Sequence, residues 1–159
     1  MRVEPAQTPA DWAEGMRLVR AYLAGLPFEV DFQAEVDDEL ADLRSTYGGP
    51  DGVLLLGRDH AARTVGVVGV KRFDERDAEL KRMYLEPAVR GTGLGRALAE
   101  AAITAARALG YRRLLLDTVA RLGPAVALYR SLGFTEIEAY RHNPLEDARY
   151  FALDLEAGS

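Results

Sequence analysis

Hydrophobic residues along this chain change their spacing several times, and each change predicts a new element. Trp12, Met16, Val19 and Leu23 recur every three or four residues, the spacing of one helical face. Thr8-Pro9-Ala10-Asp11 reads as the start of that helix: Thr8 caps it, Pro9 suits the first turn and Asp11 closes a capping box. Gly25 and Pro27 end it, and Phe32, Val36, Leu40 and Leu43 predict a second amphipathic helix that stops at Gly48-Gly49-Pro50. The period then shortens. Gly52–Arg58, Thr64–Phe73 and Glu79–Leu85 read as strands separated by short polar turns, the signature of an antiparallel meander. A loop, Glu86–Thr92, leads into a helix from about Gly93 to Leu109, with Leu94, Leu98, Ala101, Ala105 and Leu109 on one face and Gly110 as its stop. Arg113–Asp117 is a nearly all-apolar strand of the kind buried on both faces. Pro124–Leu132 reads as a short helix closed by Gly133, Phe134–Ile137 and Tyr150–Leu155 as the last strands, and Arg2–Glu4 as a weak first strand. The order predicts an α+β fold, one mixed sheet with helices on its faces.

Composition narrows the function classes. The chain has 159 residues, 48% hydrophobic and 28% charged, which fits one domain spanning 1–159 and excludes a disordered or low-complexity polymer. It has no cysteine, so a disulfide scaffold, a Cys-based metal site and a Cys nucleophile are excluded, and a reducing, cytoplasmic setting is expected. Its apolar runs fall far short of the ~20 residues that span a bilayer, and its N-terminus lacks a secretory apolar core. A net charge of −5 argues against nucleic acid or an anionic membrane as partner. His60 and His142 lack metal-ligand spacing, so no metal is expected.

The segment from Leu80 to Arg96 carries the chemistry. Gly91, Gly93 and Gly95 fall where a strand gives way to a helix, so backbone there can approach a ligand with no Cβ in the way. The first N–H groups of a helix have no internal acceptor, and the helix dipole adds partial positive charge to them. Together they form an anion site of diphosphate size, flanked by Arg90 and Arg96. A Rossmann fingerprint does not fit: the third glycine falls one position early, position 96 is Arg, and a meander precedes the loop. A P-loop fails because no Gly-Lys-Ser/Thr follows, and a serine hydrolase is disfavoured because the chain has no G-x-S-x-G elbow and Ser131 falls inside a predicted packed helix.

Arg90-Gly91-Thr92-Gly93-Leu94-Gly95 resembles the (Gln/Arg)-x-x-Gly-x-(Gly/Ala) signature of the GNAT superfamily of acyl-CoA-dependent N-acetyltransferases. The lead-in Leu85-Glu86-Pro87 and the downstream Ala125-x-x-Leu128-Tyr129-x-x-x-Gly133-Phe134 are similar to that family as well, and the likeness runs from about Glu79 to Ile137. It implies a largely antiparallel sheet of six to seven strands with helices on both faces and splayed central strands. It also implies acetyl-CoA as co-substrate, its diphosphate on the backbone of Arg90, Gly91, Thr92, Gly93, Leu94, Gly95 and Arg96. The pantetheine arm would lie between Glu79–Leu85 and Arg113–Asp117, paired with backbone at Met83, Tyr84 and Leu85. Many members carry Asn seven residues before the tyrosine; Leu122 stands there in this chain, so no cofactor role passes to it. Dimerisation is implied by analogy alone.

Acetyl transfer to an amine poses two proton problems. An amine with a pKa near 10.4 is about one part in a thousand neutral at pH 7, so a base must take its proton, and the departing thiolate needs a donor. Tyr129 matches the family tyrosine that donates to sulfur, and Glu79 stands where some branches place a catalytic glutamate. Asp117 is a weaker rival for the base and is expected rather to end its strand in a turn. The acids Glu29, Asp31, Glu35, Asp37, Asp38, Glu39 and Asp42 could attract a cationic amine such as a polyamine, but with Phe32, Val36, Leu40 and Leu43 on the opposite face they read first as a solvated outer helix face; Tyr22, Phe28, Tyr140, His142 and Asn143 read as walls of an acceptor pocket. The expected function is direct attack of a primary amine on acetyl-CoA in a ternary complex. The alternative is a non-catalytic acyl-CoA-sensing or partner-binding module on the same fold.

Overall fold

Strands β1 (Arg2–Pro5), β2 (Val53–Arg58), β3 (Thr64–Arg72), β4 (Asp77–Leu85), β5 (Arg113–Val119), β6 (Thr135–Ile137) and β7 (Ala148–Asp154) form a single sheet in the order β1-β2-β3-β4-β5-β7-β6. The computed structural model describes residues 1–25, 39, 41–143 and 145–156. Every neighbouring pair is antiparallel except β4 and β5. The mixed α+β sheet and the β2-β3-β4 meander expected from the pattern are therefore present.

Helix α1 (Pro9–Ala24) starts as its residues dictate. Asp11 N–H donates to Thr8 Oγ1 at 3.1 Å, and Asp11 Oδ2 accepts from Thr8 N–H at 3.1 Å, a reciprocal capping box. With α2 (Leu43–Tyr47) it covers one sheet face, sealing Leu18, Val19, Leu43, Tyr47, Leu54, Leu56 and Val67. Gly69 lets Tyr47 lie flat on β3: a Cβ there would stand 2.4 Å from Tyr47 Cε1. Helix α3 (Leu94–Ala108) covers the other face, where Leu94, Leu98 and Ile103 meet Val68, Leu114, Leu116 and Phe151; α4 (Gly123–Ser131) joins that core through Tyr129. At about 1.5–3 kcal/mol for each fully buried aliphatic side chain, these two cores hold the sheet between its helices. No helix among the described residues is long and apolar enough to cross a membrane.

Several boundaries differ from the periodicity reading, three of them at residues that matter to the site or to the readings above. Strand β4 begins two residues early, at Asp77, because Arg113 pairs with that carboxylate at 2.9 Å and Phe73 N–H closes the hairpin on its carbonyl. Strand β5 runs on to Val119, so Asp117 lies inside the strand opposite Tyr150 and not in a turn. Ser131 is the exposed last residue of α4 rather than a packed one, its hydroxyl bonded to the Leu128 carbonyl at 2.6 Å. Of the predicted second helix, Leu43 opens α2, while Phe32, Val36 and Leu40 lie outside the described residues.

The parallel pairing of β4 with β5 covers only Asp77–Glu79 against Arg113–Leu115. Just beyond it β4 carries a bulge. Val67 pairs with Tyr84 and Gly69 with Lys81, which leaves Val68 opposite both Arg82 and Met83. Arg82 takes φ +59°, a left-handed conformation that costs a non-glycine residue about 1–3 kcal/mol. The bulge also lets two consecutive side chains, Lys81 and Arg82, reach carboxylates, while Met83 packs against the α3-side core.

Candidate active site

The loop from Glu86 to Gly93 joins β4 to α3. A single 3-10 turn, Pro87–Val89, tucks Val89 into the core, and the chain then rises to solvent through Arg90, Gly91, Thr92 and Gly93. Gly91 and Gly93 adopt φ +77° and +91°, and a Cβ built at either meets nothing within 4 Å. Their glycines are thus required by backbone conformation, and the space above them is open. The first N–H of α3 to find a carbonyl is that of Ala97, which donates to Gly93 at 3.0 Å; those of Gly91 to Arg96 donate to no backbone carbonyl among the described residues. Gly93 and Thr92 also line a cleft of about 650 Å³ with Arg2 and His60. Arg90 Nε donates to the Leu85 carbonyl at 3.2 Å, and its guanidinium lies 5.7 Å from the Tyr84 ring centre. Arg96 reaches Glu100 at 3.1 Å and Ser131 Oγ at 3.0 Å, bridging α3 to α4. Free N–H groups at a helix start, under an open surface and between two arginines, fit a diphosphate.

The second half of the site lies where β4 and β5 part. Glu79 is completely buried. Its Oε2 accepts from Tyr140 Oη at 2.9 Å and its Oε1 from Arg141 Nη2 at 2.9 Å. Tyr150 Oη fixes that segment by donating to the Arg141 carbonyl at 2.9 Å. Arg141 Nε is buried without a hydrogen-bond partner among the described residues. Burial, with Glu79 adding to it, pushes the Tyr140 phenol far above its ordinary pKa, so Tyr140 stays a neutral donor. Lys81 Nζ stands 3.8 Å from Glu79 Oε2 and 3.9 Å from Asp117 Oδ1. Burial lowers its pKa below the ordinary lysine value, although both carboxylates pull it up. Asp117 Oδ2 accepts from Asn143 Nδ2 at 3.3 Å.

Beside this group, Arg82 Nε donates to Glu39 Oε2 at 2.6 Å and Tyr47 Oη to Glu39 Oε1 at 2.9 Å. Glu39 is therefore a buried ion-pair partner and not part of a solvated face; Asp42 caps α2 through Ser45 N–H. The other acids expected on that face, Glu29, Asp31, Glu35, Asp37 and Asp38, lie outside the described residues, as does Phe28.

Tyr129 is buried on α4, its ring edge-on to Phe134 with centroids 5.7 Å apart. Burial, and then proximity to Tyr22, raises its pKa well above that of a free phenol, so it is a protonated donor at neutral pH. Its hydroxyl makes no hydrogen bond among the described residues. Tyr22, itself shifted upward by burial, lies in the field of Arg82, Asp117 and Glu39. Among the described residues no hydrogen bond, ion pair or ring contact joins Tyr129 to Glu79; Tyr22 is within electrostatic reach of Tyr129 on one side and of Asp117 on the other.

Of the expected pocket walls, Tyr140 and Asn143 bond the buried carboxylates and His142 is exposed. Arg82 and Arg141 went unremarked in the sequence. A signal existed for Lys81, which shares a strand face with Glu79 two residues away; none existed for Arg82, which the bulge turns inward.

Comparison with known proteins identifies the family and the fold. The family model described as "Acetyltransferase (GNAT) family" matches residues 17–134. An uncharacterised N-acetyltransferase of Schizosaccharomyces pombe is 38% identical over 154 residues, covering 96% of this chain and 94% of that protein. An uncharacterised N-acetyltransferase of Escherichia coli is 36% identical over 105 residues, 64% of this chain and 62% of its own length. Among solved structures, an acetyltransferase of Salmonella typhimurium with its cofactor acetyl-CoA superposes with a TM-score of 0.75 at 21% identity, covering 98% of this chain and 94% of that one. The chain belongs to the GNAT family of acetyltransferases, enzymes that draw their acetyl group from acetyl-CoA.

Proposed function

We propose that the chain transfers acetyl from acetyl-CoA to a primary amine by direct attack within a ternary complex. The observation that carries this reading is the pairing of an open, donor-rich glycine turn with a parted β4–β5 seam, on whose far side buried acid and base groups gather. The backbone N–H groups of Gly91 to Arg96, with Arg90 and Arg96, would hold the diphosphate. Backbone at Met83, Tyr84 and Leu85, beyond the last β4–β5 pair, would pair with the pantetheine arm. When bound, acetyl-CoA supplies an activated acyl carbon and a thiolate leaving group.

The chain's own residues then manage the protons. The amine nitrogen forms the new C–N bond as the C–S bond breaks. Tyr129 gives its proton to the departing sulfur, a role suited to a neutral, free hydroxyl. Glu79 takes the proton whose loss frees the nitrogen lone pair. Because both its oxygens are engaged, that proton travels through the Tyr140 hydroxyl, which accepts one proton while passing its own to Oε2. A protonated amine loses two protons on becoming an amide: the relay takes the first, before attack, and the second leaves as the adduct collapses and offsets the proton Tyr129 gave to sulfur, so each turnover releases one proton to solvent as Glu79 is restored. General acid–base assistance of this kind is worth roughly 10²–10⁴-fold.

The test is mass-detected acetyl transfer across a panel of primary amines, with thiol release followed in parallel. The reading expects one amide and one free thiol per turnover. Micromolar acetyl-CoA binding with no amine consumed would replace it with the acyl-CoA-sensing alternative.

A further inference from the structure

Three carboxylates, Glu39 and Glu79 buried and Asp117 nearly enclosed, and three cations, Arg82, Arg141 and Lys81, lie on or beside β4 and β5 about the point where the strands stop pairing. Two of each are spent on one another. Glu39 is bonded to Arg82 at 2.6 Å and to Tyr47, and Glu79 to Arg141 at 2.9 Å and to Tyr140. Those partnerships are short, and each occupies both carboxylate oxygens. Lys81 and Asp117 remain. Lys81 Nζ lies 3.8 and 3.9 Å from its two carboxylate neighbours, beyond hydrogen-bond reach of either, so none of its three donors is satisfied among the described residues. Asp117 receives one 3.3 Å bond from Asn143, against the roughly four acceptor positions of a carboxylate. Both side chains are mostly enclosed, 11% and 13% exposed, yet their unpaired polar atoms are not sealed off, so a ligand can reach them. They stand on strands that have stopped pairing with one another.

We propose that Lys81 and Asp117 form the acceptor-recognition pair and that the acceptor is a zwitterion of amino-acid type, its ammonium on Asp117 and its carboxylate on Lys81. The charges explain the choice. With Glu39 and Glu79 each balanced by an arginine, the open pair is net neutral but strongly dipolar. A polyamine or simple alkylamine would satisfy Asp117 and leave Lys81 repelling it. A simple anion would meet Asp117 and Glu79. Only a ligand carrying both signs close together completes both residues. Asp117 then holds the ammonium, and the Glu79–Tyr140 relay takes its proton. This assignment rests on the acetyltransferase reading above and narrows it to a substrate class.

The experiment compares free α-amino acids, each beside its carboxamide and its decarboxylated amine, as acceptors with saturating acetyl-CoA. Calorimetric binding of the same compounds to the CoA-bound protein runs alongside. The wild type should prefer at least one amino acid over its decarboxylated amine by about tenfold or more in kcat/KM, the loss expected when a charged donor is left unpaired. Lys81→Met should weaken calorimetric binding of that amino acid by a similar factor and reverse the preference, since the net charge left behind is negative. Asp117→Asn, nearly isosteric, should lower turnover of acid and amine alike. A wild type that favours decarboxylated amines, or a Lys81→Met protein that loses both classes equally, overturns this assignment while leaving acetyl transfer standing. Acetyl-CoA bound with no amine turned over overturns both readings.

Discussion

Tyr140 donates to Glu79 Oε2 at 2.9 Å, and that bond fastens the segment between β6 and β7 to the inner strand of the sheet. The Tyr140 ring is held independently, edge-on to Phe73 at 5.1 Å and to Tyr150 at 5.4 Å between centroids. The two functions are therefore separable. Tyr140→Phe keeps the ring and removes the hydroxyl, leaving one oxygen of a fully buried carboxylate without its donor. Hydrogen bonds to charged groups contribute about 1.5–3 kcal/mol, so the variant should unfold at correspondingly lower urea. With the relay cut, kcat should fall about 10²-fold or more while calorimetric affinity for acetyl-CoA stays unchanged. A Tyr140→Phe enzyme with full kcat removes Tyr140 from the proton path.

Tyr129 makes the complementary case on the acid side. Phenylalanine fits the same slot against Phe134, and no hydrogen bond among the described residues is lost with the hydroxyl. Stability should therefore hardly change. Loss of a donor used only in the transition state should lower kcat and kcat/KM together, by about 10²-fold. Steady-state kinetics with a thermal melt as control decides it: unchanged kcat excludes Tyr129 as the donor.

At Gly93 the prediction divides conformation from charge. With φ +91° and open space around a built Cβ, Gly93→Ala meets no clash and bears only the left-handed conformation, about 1–2 kcal/mol of stability. Gly93→Asp adds a negative charge above the N–H groups that would hold the diphosphate. Acetyl-CoA affinity should weaken modestly in the first variant and at least about 100-fold in the second, by calorimetry. Equal, mild losses in both would mean the diphosphate binds elsewhere.

Legibility in the sequence followed periodicity and local chemistry. The glycine turn was visible because Gly91 and Gly93 are needed for backbone reasons that leave a mark in sequence. The capping box at Thr8 and Asp11 was visible because its partners are three residues apart. The acceptor side was not, because its contacts join distant segments: Arg141 to Glu79 spans 62 residues and Arg82 to Glu39 spans 43. Glu39 reads in sequence as one more acid in an acidic run, and only Arg82, turned inward by the bulge, makes it a buried partner. The place of Asp117 inside β5 is hidden in the sequence for a related reason. A polar residue after three leucines looks like the end of a strand, yet pairing with Tyr150 carries β5 on to Val119.

The Glu39–Arg82 pair ties the region before α2 to the bulge of β4, and both members are nearly enclosed. Removing one partner strands the other in a poorly solvated site, which costs about 3–5 kcal/mol. Glu39→Ala should accordingly destabilise far more than Glu100→Ala, whose ion pair with Arg96 is exposed on both sides. Denaturant midpoints measure the difference; equal midpoints would show that Glu39 is not buried against Arg82 in solution.

Acid should expose the capping box. Asp11 accepts from Gln7 N–H at 2.9 Å, from Arg58 Nη2 at 2.6 Å and from Thr8 N–H at 3.1 Å. The Gln7 bond first, then Arg58 and Thr8, hold its carboxyl far below the usual carboxylate range. A carboxyl with a depressed folded-state pKa contributes its stability in full above its unfolded pKa, near 3.9, and loses it as pH falls toward the folded value. Asp11→Asn cannot titrate, so it should be less stable than wild type by about 1–2 kcal/mol at pH 7, the usual worth of such a cap. That gap should hold down to about pH 5 and shrink progressively below it as wild-type Asp11 takes up its proton. Urea melts of both proteins between pH 7 and pH 3 read the gap directly. A gap that stays constant across that range would mean that the ionised carboxylate is not what the N-terminus of α1 uses.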